Sequence, residues 1–238
     1  MMTKKFLYAL QIPETIAQSE YEWLLQQVSA EKREKVERYR HIQDSYRSLL
    51  GELLVRSFIS EHYQVDNRQI SFIYNQYGKP ELALNLPFSF NLSHSGCWVV
   101  CLCSPHTASP VGVDIERIKN VNLDIARRFF TNKEYEDLIS RHESERVPYF
   151  YTLWALKESY IKYTGKGLSE PLDSFSFRMS HNQIEFESHK KMEEKPLFSL
   201  YNLDPNYKLA ACAENALPKY VVKVTYDEFK LRYIIESR

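Results

Sequence analysis

The 238-residue chain is 44% apolar and balances 31 Lys+Arg against 31 Asp+Glu, with a pI near 7.1. Such a length buries a sizeable core as one large or two small domains, and the neutral total argues against a general polyanion binder, leaving nucleic-acid contact to a local patch. The apolar run at residues 6–10 is too short for a signal peptide, and no stretch reaches the roughly 20 apolar residues of a membrane span, so a cytosolic protein is expected.

Taken in chain order, residues 15–28 carry an amphipathic helix pattern, and Ser29 is placed to cap a second helix running to residue 40. From residue 43 to 63 the apolar side chains Leu49, Leu50, Leu53, Leu54, Phe58 and Ile59 recur at helical spacing. Strand-like runs follow at 70–74, 88–92 and 97–103, cut by Gly, Pro, Asn and Ser. The last of them aligns Cys97, Cys101 and Cys103 on one face. Neighbours two apart on a strand are poorly placed for a disulfide. A metal pair is the alternative to small buried hydrophobes in a reducing compartment, but no histidine or cysteine cluster at zinc spacing accompanies them. A strand at 111–116 then leads into helices near 123–130, 132–141 and 147–164, and strands at 175–178, 183–187, 197–202, 207–213 and 219–225 complete the chain. Helices followed by antiparallel strands, twice over, predict an α+β fold in two similar-sized halves, 1–106 and 107–238. The junction lies in the Ser-, Pro- and His-rich segment 104–110, and no residue-level repeat links the halves.

Three constellations carry chemistry. In Gly112-Val-Asp114-Ile-Glu116 the two carboxylates fall on one face of a strand, where both reach one ion, and oxygen-only ligands favour Mg²⁺. The plain alternative is a solvated strand face. In Trp154-Ala-Leu-Lys157-Glu158-Ser-Tyr-Ile-Lys162 the spacing makes Glu158 and Lys162 helical neighbours, which by itself is also what an ordinary surface ion pair looks like. The third set is anion-binding: Lys32, Arg33, Lys35, Arg38, Arg40 and Arg47 diluted by acids, a turn at Tyr77-Gly-Lys79-Pro80, and Asn91-Leu-Ser93-His94-Ser95-Gly96 at a strand end.

The order and separation of these pieces, with Phe130-Thr-Asn-Lys-Glu134 between them and Gly165-Lys-Gly-Leu after, resemble the Sfp-type 4′-phosphopantetheinyl transferases, the class that activates peptide and polyketide synthetases. The matched stretches span about residues 29–177, with no departure at an expected functional position. The resemblance implies a monomer of two α+β halves packed as a pseudo-dimer, with coenzyme A in the cleft between them. It implies Asp114, Glu116 and Glu158 as ligands of Mg²⁺, and Lys32, Lys35 and Arg47 near the coenzyme A phosphates. It further implies Ser93 and His94 at the 3′-phosphate, and Lys79 and Pro80 along the adenine. The implied partner is an apo carrier protein, whose serine attacks the β-phosphate with Glu158 as base and Lys162 at the leaving phosphate. Glu134 is a rival base in that picture, yet Thr131-Asn-Lys-Glu134 also has the form of a helix capping box, and both roles stay open. Arg127, Arg128, Phe129 and Phe130 form either a carrier-docking face or core plus solvated arginines. A transferase dedicated to fatty-acid carriers shares the chemistry. An idle coenzyme A or carrier binder is expected to lose one of the four residues Asp114, Glu116, Glu158 or Lys162, and a nucleic-acid binder fits the interspersed acids poorly.

Overall fold

In the computed structural model, which describes residues 4–180, 183–188, 190 and 194–236, the chain opens on a strand that the sequence pattern leaves unmarked, β1 (Phe6–Gln11). Three helices follow: α1 (Gln18–Leu25), α2 (Ala30–Glu37) and α3 (Ile42–Tyr63). Ser29 caps α2 as its position predicts, its hydroxyl accepting from the Lys32 N–H at 3.2 Å. A short hairpin, β2 (Phe72–Tyr74) and β3 (Pro80–Leu82), precedes β4 (Phe88–Ser95) and β5 (Trp98–Pro105). Cys97 therefore sits in the turn before β5, not on the strand with Cys101 and Cys103, because Gly96 takes φ +56° to reverse the chain. All four cysteines are free.

The rest of the chain runs β6 (Val111–Arg117), α4 (Ala126–Phe129), α5 (Asn132–Ser140), α6 (Glu143–Thr164), β7 (Phe175–Ser180), β8 (Gln183–Ser188), β9 (Leu197–Tyr201), β10 (Tyr207–Ala213), β11 (Val221–Val224) and α7 (Tyr226–Glu236). One sheet has the order β11-β1-β5-β4 and the other β6-β10-β9. The architecture is α+β. The last strand does not stay with its neighbours in sequence: β11 pairs parallel to β1, Leu7 opposite Val221, and Val224 and Phe229 enter the core beneath α3. No helix among the described residues is long and apolar enough to cross a membrane.

Period-2 alternation positions everything that matters later. On β5, Val99, Cys101 and Cys103 face α3, while Trp98, Val100 and Leu102 meet the second sheet. On β6, Val111, Val113 and Ile115 fill that same core between the sheets. Gly112, Asp114 and Glu116 are left on the opposite face, the one α6 crosses.

Candidate active site

The approach of α6 to β6 is set by a missing side chain. A Cβ on Gly112 would lie 2.0 Å from the Ser159 carbonyl oxygen and 2.4 Å from the Tyr163 nitrogen, so helix backbone rests directly on strand backbone. That contact lowers the last two turns of α6 onto the strand and brings Lys162 to Asp114. The Lys162 ammonium donates to Asp114 Oδ1 at 2.6 Å and to Ser93 Oγ at 2.9 Å, and Ser93 Oγ donates to the same Oδ1 at 2.8 Å.

Glu116 and Glu158 lie within electrostatic reach of Asp114 here. Asp114 is 3% exposed, and its Oδ2 is buried with no hydrogen-bond partner. Burial pushes the Glu116 carboxyl up to about 7, helped by the charges of Asp114 and Glu158 against the opposing pull of Lys162. Glu158 is raised for the same reasons, burial first and Asp114 second. Carboxyls raised by burial and by a neighbouring carboxylate mark a site short of positive charge. Among the described residues no three His, Cys, Asp or Glu side chains stand close enough to form a ready metal cage, and the ammonium of Lys162 occupies Asp114 Oδ1 instead. The donor set still suits a hard divalent cation: it is all oxygen, mutually repelling, and holds one buried carboxylate oxygen that nothing satisfies.

A seam of side-chain hydrogen bonds between β4 and β6 holds these carboxylates in place. Alternate side chains of β4 accept from alternate backbone N–H groups of β6: Asn91 Oδ1 from Val113 at 2.8 Å, Ser93 Oγ from Ile115 at 3.3 Å, Ser95 Oγ from Arg117 at 3.0 Å. The two sheets meet edge to edge through side chains, in place of a main-chain ladder. The two serine hydroxyls in turn donate hydrogen bonds, Ser93 to Asp114 and Ser95 to Glu116 at 3.3 Å. Asn91 and Ser95 were no more than part of a motif in the sequence. The signal that could have marked them is the alternation of short polar side chains in Asn-x-Ser-x-Ser on an otherwise apolar strand.

The cations of the first half surround this centre unevenly. Arg47 donates to the Gly96 carbonyl at 2.8 Å and pairs with Asp44. His94 opens to solvent, and desolvation by the surrounding protein, with the charges of Arg47 and Lys162 after it, holds its imidazole below the usual histidine range. The charges of Arg47 on α3 and Lys162 on α6 thus both reach His94 on β4. Ser93, by contrast, is buried and committed to Asp114 and Lys162. Lys32 and Lys35 line a separate cleft of 540 Å³ with Arg38, Tyr39, Arg56 and Tyr74. There Lys32 pairs with Glu52 at 3.4 Å and Lys35 lies over the Tyr74 ring at 5.9 Å. Pro80 pairs with Tyr74 in the β2–β3 hairpin, and the Lys79 side chain turns inward, its pKa lowered to about 8 by burial.

Glu134 forms the capping box. Its Oε2 accepts from the Thr131 N–H at 2.8 Å and the Thr131 hydroxyl at 2.9 Å, while Thr131 Oγ1 accepts from the Glu134 N–H at 3.3 Å. Two further donors converge: the Phe177 N–H on Oε1 and the Lys157 ammonium on Oε2, each at 2.9 Å. Lys157 also donates to the Leu172 and Phe175 carbonyls at 2.7 Å and is fully buried. Removing one partner of such a pair strands the other charge, at a cost of about 3–5 kcal/mol. Glu134→Gln is therefore expected to lower the urea midpoint sharply while the folded fraction keeps its turnover, and adding Lys157→Met should recover part of the loss. Full stability with turnover abolished would make Glu134 a base. Nearby, Phe130 is buried, Phe129 packs on Trp154, and Arg127 donates to the Tyr135 hydroxyl at 2.8 Å.

The 4′-phosphopantetheinyl transferase superfamily profile matches residues 110–212, and the 4′-phosphopantetheinyl transferase N-terminal profile matches residues 15–106. The 4′-phosphopantetheinyl transferase ffp of Bacillus subtilis is 44% identical over 227 residues, covering 93% of this chain and 98% of that one. Its counterpart Sfp from Bacillus subtilis strain 168 is 43% identical over 228 residues with the same coverage. The human L-aminoadipate-semialdehyde dehydrogenase-phosphopantetheinyl transferase is 32% identical over 177 residues, 68% of this chain and 57% of that one.

Proposed function

The chain belongs to the 4′-phosphopantetheinyl transferase superfamily, and we propose that it moves phosphopantetheine from coenzyme A to a serine of an apo carrier protein at the Asp114 centre, releasing adenosine 3′,5′-bisphosphate. The observation that carries the reading is Asp114 itself, buried with one oxygen on Lys162 and the other unsatisfied, beside two carboxyls that burial raises and its charge raises further. Asp114, Glu116 and Glu158 would hold a Mg²⁺ ion. When bound, such an ion supplies positive charge against the diphosphate and its leaving group.

This chain's own residues supply the rest. The serine oxygen bonds to the β-phosphorus as the bond from that phosphorus to the bridging diphosphate oxygen breaks. Glu158 takes the hydroxyl proton on its carboxylate, from its place one helical turn before Lys162 on α6. Lys162, whose ammonium already reaches between Ser93 and Asp114, turns toward the charge that develops on the departing phosphate. Coenzyme A lies in a cleft between residues 1–106 and 107–238. That placement is supported by His94 and Arg47 of the first part facing Lys162 of the second.

Intact-mass measurement of several apo carrier proteins, incubated with coenzyme A and Mg²⁺, tests the reading. A gain of one phosphopantetheinyl group is expected, suppressed by a chelator, and no gain on any carrier would overturn it. Recognition of the 3′-phosphate has its own check. A lost charge-assisted contact is worth about 1.5–3 kcal/mol, so dephospho-coenzyme A should be used at least about tenfold less efficiently, and His94→Ala should erase much of that preference. Equal use of both substrates by the wild type would move the phosphate site away from His94.

A further inference from the structure

The end of α6 is gripped from outside its own half of the chain. The turn joining β2 to β3, residues 75–79, is braced by Asn75, whose Oδ1 accepts from the Tyr77 N–H at 2.9 Å and the Lys79 N–H at 3.0 Å. From this turn the Asn75 amide donates to the Gly165 carbonyl at 3.0 Å. The Lys79 ammonium donates to the Lys162 carbonyl at 2.6 Å and to the Val111 carbonyl at 3.1 Å. Lys162 O is among the last carbonyls of α6, which have no partner within the helix, and a cation there is also favoured by the helix dipole. Gly165 closes the helix at φ +67°, and a Cβ on it would lie 3.3 Å from the Asn75 amide nitrogen and 3.4 Å from Lys79 Cδ. Val111 adjoins Gly112, where α6 rests on β6, so Lys79 ties the helix end to the strand start beside that crossing.

We propose that Asn75 and Lys79 are positioning residues, a clamp that fixes the height of Glu158 and Lys162 over Asp114, with the Lys79 ammonium serving the helix end and not the adenine of a donor. The role rests on the transferase reading. The same hairpin carries Tyr74, which lines the cleft of Lys32 and Lys35, so the clamp joins that cleft to the helix that carries the chemistry.

The test uses the full chain with Lys79→Met and Asn75→Ala. Hydrogen–deuterium exchange over residues 158–167 should quicken by about tenfold or more, since those amides lose an external anchor. Turnover should fall by about tenfold in Lys79→Met while the calorimetric Kd for coenzyme A stays within about twofold. Unchanged exchange and turnover would overturn the clamp. So would a Kd raised about tenfold at normal turnover, which is the signature of a lysine that binds the donor. Exchange does not depend on any reaction, so a wild type that modifies no carrier would sink the transferase reading and still leave the clamp to stand or fall on its exchange pattern.

Discussion

Gly112→Ala is expected to be the most damaging single-methyl addition in the chain. The new Cβ would sit 2.0 Å from the Ser159 carbonyl oxygen, 2.4 Å from the Tyr163 nitrogen and 2.9 Å from the Tyr163 Cα. All three atoms are helix backbone, so no side chain can swing aside to make room. Either α6 lifts or β6 bends, and β6 is also tied to β10 along its length and to β4 through the side-chain seam. Overpacking a close-packed contact costs about 1–3 kcal/mol even where side chains can adjust, and a rigid backbone contact belongs above that range. The urea midpoint should fall accordingly. In whatever fraction still folds, transfer should be lost as well, because lifting α6 separates Lys162 from Asp114. A midpoint and turnover near those of the wild type would show that the helix does not rest on the strand here.

Asp114→Asn is expected to give the largest loss of activity at the smallest cost in stability. The substitution keeps the shape and removes the charge. It takes away the charge paired with Lys162 and, of the causes that raise Glu116 and Glu158, leaves burial and removes the repulsion by Asp114. Deleting one well-placed electrostatic group at a reacting centre costs about 10²–10³ in turnover. We expect a fall on the order of a thousandfold, with the Kd for coenzyme A changed far less, because the group acts on the transition state. Stability should change little: the carboxylate is desolvated with one oxygen unsatisfied, so losing its charge relieves a burial cost while it forfeits the Lys162 pair. Single-turnover transfer to a carrier and a melting curve measure the two sides. Turnover within a few-fold of wild type would remove Asp114 from the chemistry.

Elements with a strong local pattern are legible in the sequence. The helix read at 43–63 is Ile42–Tyr63, and the strand read at 207–213 is found as Tyr207–Ala213. The capping box at Thr131 and Glu134 was legible because its parts lie within one helical turn. What the pattern missed depends on distant partners. β1 is six residues long and is made a strand by β5 and β11, one of them more than 200 residues away. The pairing of β3 with β2 rests on three residues, and α7 follows a strand docked on the other half of the chain.

The candidate site divides along the same line. Sequence alone determined which residues are present and which could share a face, because the periods of strand and helix are properties of the backbone. Asp114 with Glu116, and Glu158 with Lys162, follow from spacing, and the family follows from their order. Only the tertiary structure decided which of the marked groups meet. It put Ser93 on Asp114, turned Lys79 to the end of α6, buried Glu134 against Lys157, and stitched Asn91, Ser93 and Ser95 to β6. Hydrogen bonds and ion pairs form between atoms about 3 Å apart in space, and separation along the chain says nothing of that distance until both sheets and α6 have packed.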